Sequence, residues 1–185
     1  IDSDFVYYDY LSSMLMALNA GQIKTAVLPN DVNNYIAQRN EGLTVRNFED
    51  VPVTFQMGLR AGDTALRDDI NEAIAAMTED GTLAALLDQW VYQLPSDQEP
   101  AVGQLPVLAG ADTIRVGVTG DLPPLDYVSP DGQPSGYNIA VLSEISRRIG
   151  KNIELVNMQA AARVTALTSG KIDVIFWLLG GEKVN

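Results

Sequence analysis

The chain has 185 residues, 46% of them hydrophobic and 19% charged, and its 24 acidic against 12 basic side chains give a formal net charge of -12. That is the composition of a globular domain, and an acidic surface repels phosphate backbones and anionic lipid, so neither nucleic acid nor a membrane surface is an expected partner. With neither cysteine nor histidine in the sequence, disulfides, thiolate nucleophiles, the usual zinc sites, Ser-His-Asp triads and imidazole acid-base chemistry are excluded, and no cofactor is expected.

In chain order, Phe5-Val6-Tyr7-Tyr8 reads as a short strand. Asp9 is placed to cap a helix bearing Leu11, Met14, Leu15 and Leu18, which Gly21 ends. Thr25-Ala26-Val27-Leu28 reads as a buried strand stopped by Pro29, and Asp31 as the cap of a short helix carrying Val32, Tyr35 and Ile36. Val53 to Leu59 is a third strand. Two amphipathic helices follow, one lined by Leu66, Ile70, Ile74 and Met77 and the other by Leu83, Leu86, Leu87 and Trp90, with Asp63 and Thr82 as caps.

Residues 96–112 hold Pro100, Pro106, Gly103 and Gly110 without periodicity, and read as a linker or an extended strap. Beyond it, Thr113 to Val118 is a strand entering a Gly/Pro-rich loop, Gly120 to Pro134. A helix from Tyr137 to Ile149 buries Val141, Leu142 and Ile145 and is closed by Gly150. Ile153 to Met158 is a strand, a helix carrying Val164 and Leu167 ends at Gly170, and Asp173 to Trp177 is a nearly continuous apolar strand suited to a sheet covered on both faces. Strands alternating with helices make this an α/β protein. The longest apolar run, Val174 to Leu179, is far too short to cross a bilayer, and the first residues lack the basic start and apolar core of a signal peptide.

Ala17 to Lys24 repeats as Ala166 to Asp173 at an offset of 149, with four identities in eight positions. Helix-Gly-strand turns look alike in any α/β protein, but here each copy is also preceded by another strand, which favours a true repeat.

Ile114-Arg115-Val116-Gly117-Val118, Leu122-Pro123-Pro124-Leu125-Asp126-Tyr127, Asp131-Gly132, Gly136-Tyr137-Asn138 and Ala166 to Val174 together resemble the opening lobe of type II periplasmic solute-binding proteins, most closely the amino-acid-type family serving ABC importers. Ala17 to Val27, Val53 to Leu59, Leu66 to Ile74, Asp80-Gly81-Thr82-Leu83 and Gln89-Trp90 resemble the closing part of the same family. The order is reversed, and the stretch that would open the second lobe is missing. A piece of a tandem array or a permuted, abbreviated module would each produce this, with residues 1–95 as the closing part, 96–112 as linker and 113–185 as the opening lobe. The resemblance implies lobes with a mostly parallel sheet and helices on both faces. Burial of Leu66, Ile70, Leu86 and Trp90, at about 1.5–3 kcal/mol each, argues that the first half covers the second.

Open α/β sheets place ligands at the C-terminal ends of strands. That puts the loop with Asp121, Leu122, Pro124, Leu125 and Tyr127 at the expected solute rim, together with Trp177 and Leu178 on the last strand. The resemblance implies an aromatic on the solute: Tyr127 matches one aromatic position, while Leu125 stands where Phe is usual. Tyr127 packed on the scaffold and Trp177 covering the sheet edge are the alternatives. The arginine that clamps an α-carboxylate in the family has no counterpart after Trp177, and the lobe-two aspartate that holds an α-ammonium falls near Pro29, leaving Asn30 and Asp31 as nearest polar residues. Asp121 and Asp126 share a loop, but carboxylates in such turns are usually solvated, and Gly117 and Gly120 do not form a dinucleotide fingerprint.

The expected function is a non-catalytic, extracytoplasmic solute-binding component, or a fragment of one, with a small polar or amino-acid-like solute and an ABC permease or a sensor as partners. A degenerate lobe serving assembly, and a dehydratase-like enzyme on the same fold, are the alternatives; the absence of His and Cys disfavours the latter.

Overall fold

A computed structural model describes residues 5–46, 55–95 and 104–179. Helices α1 (Leu11–Asn19) and α2 (Asn30–Arg39) precede strand β1 (Phe55–Leu59). Helices α3 (Thr64–Glu79) and α4 (Thr82–Leu87) follow, the latter running into a π turn at Asp88–Tyr92. The second half comprises β2 (Thr113–Val118), the short strands β3 (Asp121–Leu122), β4 (Asp126–Val128) and β5 (Pro134–Ser135), α5 (Tyr137–Ile149), β6 (Asn152–Asn157), α6 (Arg163–Thr168) and β7 (Val174–Leu179).

The main sheet has the order β1-β7-β2-β6. β2 runs parallel to both β6 and β7, while β1 lies antiparallel on β7, with Leu59 opposite Val174. One face carries Ile114, Val116, Val118, Val174 and Phe176 against Ile70, Ala73 and Met77 of α3 and Ile139, Leu142 and Ile145 of α5. The other carries Ile175 and Leu178 against Ala166 and Leu167 of α6. The mostly parallel sheet, covered on both faces, is the α/β architecture the sequence predicts. The apolar stripes of the first half are buried against the second: Ile70, Ala73 and Met77 share its core, with Leu66, Ile74 and Leu86 partly buried against it, and Trp90 is buried as well. A third cluster joins Leu11 of α1 and Val32 and Ile36 of α2 to Leu125.

Several local expectations fail. Phe5 to Tyr8 is coil, with Tyr7 92% exposed, and Thr25 to Leu28 is likewise irregular, with Val27 71% exposed. A strand needs a ladder to satisfy its backbone, and neither segment has a neighbouring strand among the described residues. Residues 53 and 54 of the third expected strand lie outside the described residues. Of the four expected caps, Asp63 holds its position and the other three shift. The α1 N-cap is Tyr10 rather than Asp9; Asp31 sits in the first turn of α2 behind Pro29; and Asp63, at the N-cap of α3, makes no capping hydrogen bond. Thr82 begins α4, and its N–H donates to Asp80 Oδ1 at 2.9 Å, so Asp80 serves in its place. The Gly/Pro loop contains the small antiparallel sheet β3-β4-β5. Within 104–112 the strap is anchored: Leu105 packs on the core, and Asn152 Nδ2 donates to the Leu108 carbonyl at 3.0 Å.

Two ion pairs, Arg60 with Asp173 and Arg148 with Asp80, tie the halves together, and Arg115 joins the first from within the second half. Arg60 and Arg115 both reach Asp173 Oδ1 at 3.0 Å, and Arg148 reaches Asp80 Oδ2 at 2.7 Å. Burial pushes the Asp173 carboxyl up, but hydrogen bonds from Arg115 and Arg60 outweigh it and hold it below the ordinary range. Hydrogen bonds from Thr82 and Arg148 lower Asp80 from 3.8 to about 2. A depressed carboxylate contributes stability that is fully present above its unfolded value and is lost as pH falls through the folded one. The thermal midpoint is therefore expected to fall as pH drops from about 4 through about 2, and Asp80→Asn to flatten that limb; an identical slope in variant and parent would exclude Asp80 as a source.

Candidate functional site

A cavity of about 770 Å³ opens between β1, the faces of α3, α4 and α5 and the middle of β7, a size suited to a small organic ligand. Its polar lining is Asp31 of α2, Gln56 of β1, Arg67 and Asn71 of α3 and Asn138 of α5. Its body is apolar and aromatic, with Ile70, Ile74, Leu83, Leu87, Val141, Tyr137, Phe176 and Trp177. Helical spacing explains α3: Arg67, Ile70, Asn71 and Ile74 fall at i, i+3, i+4 and i+7 and so share one face.

The nine residues expected at the site divide. Leu125, Trp177 and Asp31 line the cavity. Trp177 lies within β7 rather than at its end: the register with β1 steps from Met57 opposite Phe176 to Gln56 opposite Leu178, which makes Trp177 the extra residue of a bulge. Bulges of this kind re-aim a side chain. Arg163 Nη1 donates to the Trp177 carbonyl at 2.7 Å, and the guanidinium stands 5.9 Å from the indole centroid. Asp31 is partly buried, which raises its carboxyl above the ordinary value.

The other six stand apart from this lining. Tyr127, opposite Asp121 and Ser135 in the small sheet, is 7% exposed, as in the alternative of a ring packed on the scaffold. A strand paired on both edges holds it there. Asp121 accepts from the N–H and hydroxyl of Ser12 at 3.3 Å, tying the loop to α1. Leu122 packs against the α1-α2 cluster, Pro124 is buried with its carbonyl accepting from Tyr137 N–H at 3.0 Å, and Leu178 turns to the α6 face. Asn30 is exposed and borders a separate hollow of about 540 Å³ beside α1.

Asp126, expected in solvent, is 1% exposed. Its Oδ2 accepts from Thr119 N–H at 2.9 Å, Gly120 N–H at 3.1 Å and Thr119 Oγ1 at 3.1 Å, so it fixes the loop leaving β2. Desolvation raises this carboxyl, with the Gly120 and Thr119 donors pulling it back. Asp121 and Asp126 thus serve as separate anchors, and neither lines the cavity.

Sequence reading missed Arg67, Asn71, Asn138 and Arg163. The first two were visible as polar residues interrupting an apolar helical stripe; Asn138 was present in Gly136-Tyr137-Asn138. Arg163 carried no local signal, because only the fold brings it to β7.

The sequence profile of the bacterial extracellular solute-binding proteins, family 3, matches residues 4–93 and 114–178. No protein of curated function matches the chain. Among solved structures, the arginine-bound form of domain 1 from TmArgBP is 33% identical, with a TM-score of 0.34 over 35% of this chain and 51% of that one. An ancestral cyclohexadienyl dehydratase is 34% identical, with a TM-score of 0.33 over 35% of this chain and 27% of that one. The L-cystine solute receptor of Neisseria gonorrhoeae, in its unliganded open conformation, is 26% identical, with a TM-score of 0.35 over 37% of this chain and 29% of that one. The chain thus spans about half or less of the structures it matches. The family profile, in contrast, extends over most of the sequence on both sides of the Pro/Gly stretch, and the protein belongs to the bacterial extracellular solute-binding proteins, family 3.

Proposed function

We propose that the protein is the cavity-bearing part of a non-catalytic, extracytoplasmic binding protein that takes an amino-acid-type solute and presents it to an ABC permease or a sensor. In this reading, residues 1–95 supply the closing part of a module, 113–185 its opening lobe, and 96–112 the connection. The observation that carries it is the composition of the cavity wall, where an acidic and a basic side chain, Asp31 and Arg67, border a largely apolar and aromatic hollow. Those are the groups a zwitterion with an apolar side chain requires. Arg67, half-exposed and paired with Asp68 Oδ1 at 2.7 Å, supplies the guanidinium of that wall. Asp31 is the one carboxylate among the described lining residues. No helix among the described residues is long and apolar enough to cross a membrane. Trp177, Leu125 and Asp31 are the proposed contacts, while Asp121, Leu122, Pro124, Tyr127, Leu178 and Asn30 would shape or close the rim.

A thermal-shift panel of the common amino acids tests this, because a solute that binds only the folded state raises its melting temperature. We expect a hit of micromolar affinity or weaker, about -8 kcal/mol or smaller in magnitude. Trp177→Ala is expected to weaken that hit more than tenfold, about 1.4 kcal/mol, while unfolding remains cooperative. Uniform failure of the panel, or turnover of a hit, would overturn the reading.

A further inference from the structure

The hollow of about 540 Å³ beside α1 is walled by Leu15 and Leu18 of α1, Asn33 and Ile36 of α2, and two irregular runs, 24–28 and 42–46. No backbone group of residues 24–27 or 44–46 is hydrogen-bonded to another described residue. Both runs thus keep the donors and acceptors that an added strand would use. Charge also singles the hollow out. Lys24 and Arg46 line it and no carboxylate does among the described residues, in a chain with 24 acidic and 12 basic side chains. A segment with the matching properties lies in the same sequence. Phe5-Val6-Tyr7-Tyr8 is aromatic and β-branched, exposes Phe5, Val6 and Tyr7, and has no backbone hydrogen bond among the described residues. Asp4 precedes it and Asp9 follows it. None of the four lines the hollow of its own chain.

We infer that this hollow is the docking site for Phe5 to Tyr8 of a second copy of the chain, added as a strand along the unpaired runs, with the flanking aspartates beside Lys24 and Arg46. Strand addition supplies the ladder that both partners lack, and alternate side chains of the incoming segment face the apolar wall of Leu15, Leu18 and Ile36. The segment leads directly into α1, whose own side chains wall the hollow, so donor and acceptor lie within roughly one nine-residue helix, about 14 Å, of each other. A two-fold axis beside α1 therefore lets two copies exchange segments at once, an isologous contact that closes on itself. The inference is independent of the solute reading, since the hollow and the larger cavity share no described lining residue.

Sedimentation equilibrium of the full chain over a concentration series tests this, and a mass rising to twice the 20.0 kDa of one chain is expected. Tyr7→Pro removes a ladder donor from an exposed position, and the double variant Lys24→Glu, Arg46→Glu reverses the charge of the hollow. Each is expected to stay at one chain's mass where the parent is dimeric. Mixed in equal amounts, the two should recover the two-chain mass, because one keeps an intact hollow and the other an intact segment. No recovery on mixing, or a dimer that survives both variants, would overturn the inference. A lower thermal midpoint for Tyr7→Pro than for the parent at monomeric dilution would mean that the segment serves its own chain, and would overturn it as well. A parent that stays monomeric throughout would do the same, even if the hollow takes a synthetic peptide of residues 2–9 or an aliphatic carboxylate such as decanoate; those results would name another occupant.

Discussion

Gly136→Ala is expected to destabilise the protein by about 3 kcal/mol or more, measured as the shift in urea unfolding free energy. Gly136 has φ 111°, and a Cβ there would stand 2.5 Å from the Leu125 carbonyl oxygen and 2.8 Å from that of Pro124. Those same carbonyls accept the Asn138 and Tyr137 N–H bonds at 2.8 and 3.0 Å, so the loop cannot retreat without unfastening the start of α5. Gly132→Ala is the matched control. Its φ is 82° but nothing lies within 4 Å of the added carbon, so only backbone strain of about 1 kcal/mol is expected. Equal losses for the two substitutions would show that the close approach is unimportant.

Asp126→Ala is expected to cost about 3–5 kcal/mol, because it strands two backbone N–H groups and a hydroxyl at roughly 1–3 kcal/mol for each donor left buried. Asp126→Asn keeps an acceptor in place and is expected to cost about 1 kcal/mol. The pH response separates the two roles of the carboxyl. Since burial raises its folded value, the native state holds the proton more tightly than the unfolded chain, and stability contributed here falls as pH rises from the unfolded value through the folded one. That runs opposite to Asp80 and Asp173. Equal unfolding free energies for parent and Asp126→Ala would refute the anchoring role.

Periodicity made the second half legible almost residue by residue. Thr113 to Val118 and Tyr137 to Ile149 begin and end where the pattern of apolar residues does, because each buries one continuous face. β3, β4 and β5 left no such trace: strands of two and three residues are too short for alternation to register, and Asp126, a turn residue by composition, became buried only because Thr119 and Gly120 converge on it. Phe5 to Tyr8 shows the opposite error, where β propensity was present but no partner strand was at hand. The cavity was hidden for a different reason. Its walls come from both halves of the chain, and Arg67, Asn71 and Asn138 become neighbours of Trp177 only after α3 and α5 dock on the sheet.

The antiparallel pairing of β1 with β7 has a kinetic consequence. Residues near the middle of the first half must find partners at Val174 to Leu179, so the edge of the sheet closes the longest loop of any strand pair among the described residues, whereas β2, α5 and β6 meet through short connections. Loop-closure entropy opposes the distant pairing until its contacts form, and topologies rich in such pairs fold slowly. The βαβ unit around α5 can thus assemble early, leaving β7 with an open edge that β1 and its two helices cover last. During that interval the same edge is available to β1 of another copy, which makes exchange of the first half between molecules the characteristic hazard of this chain order.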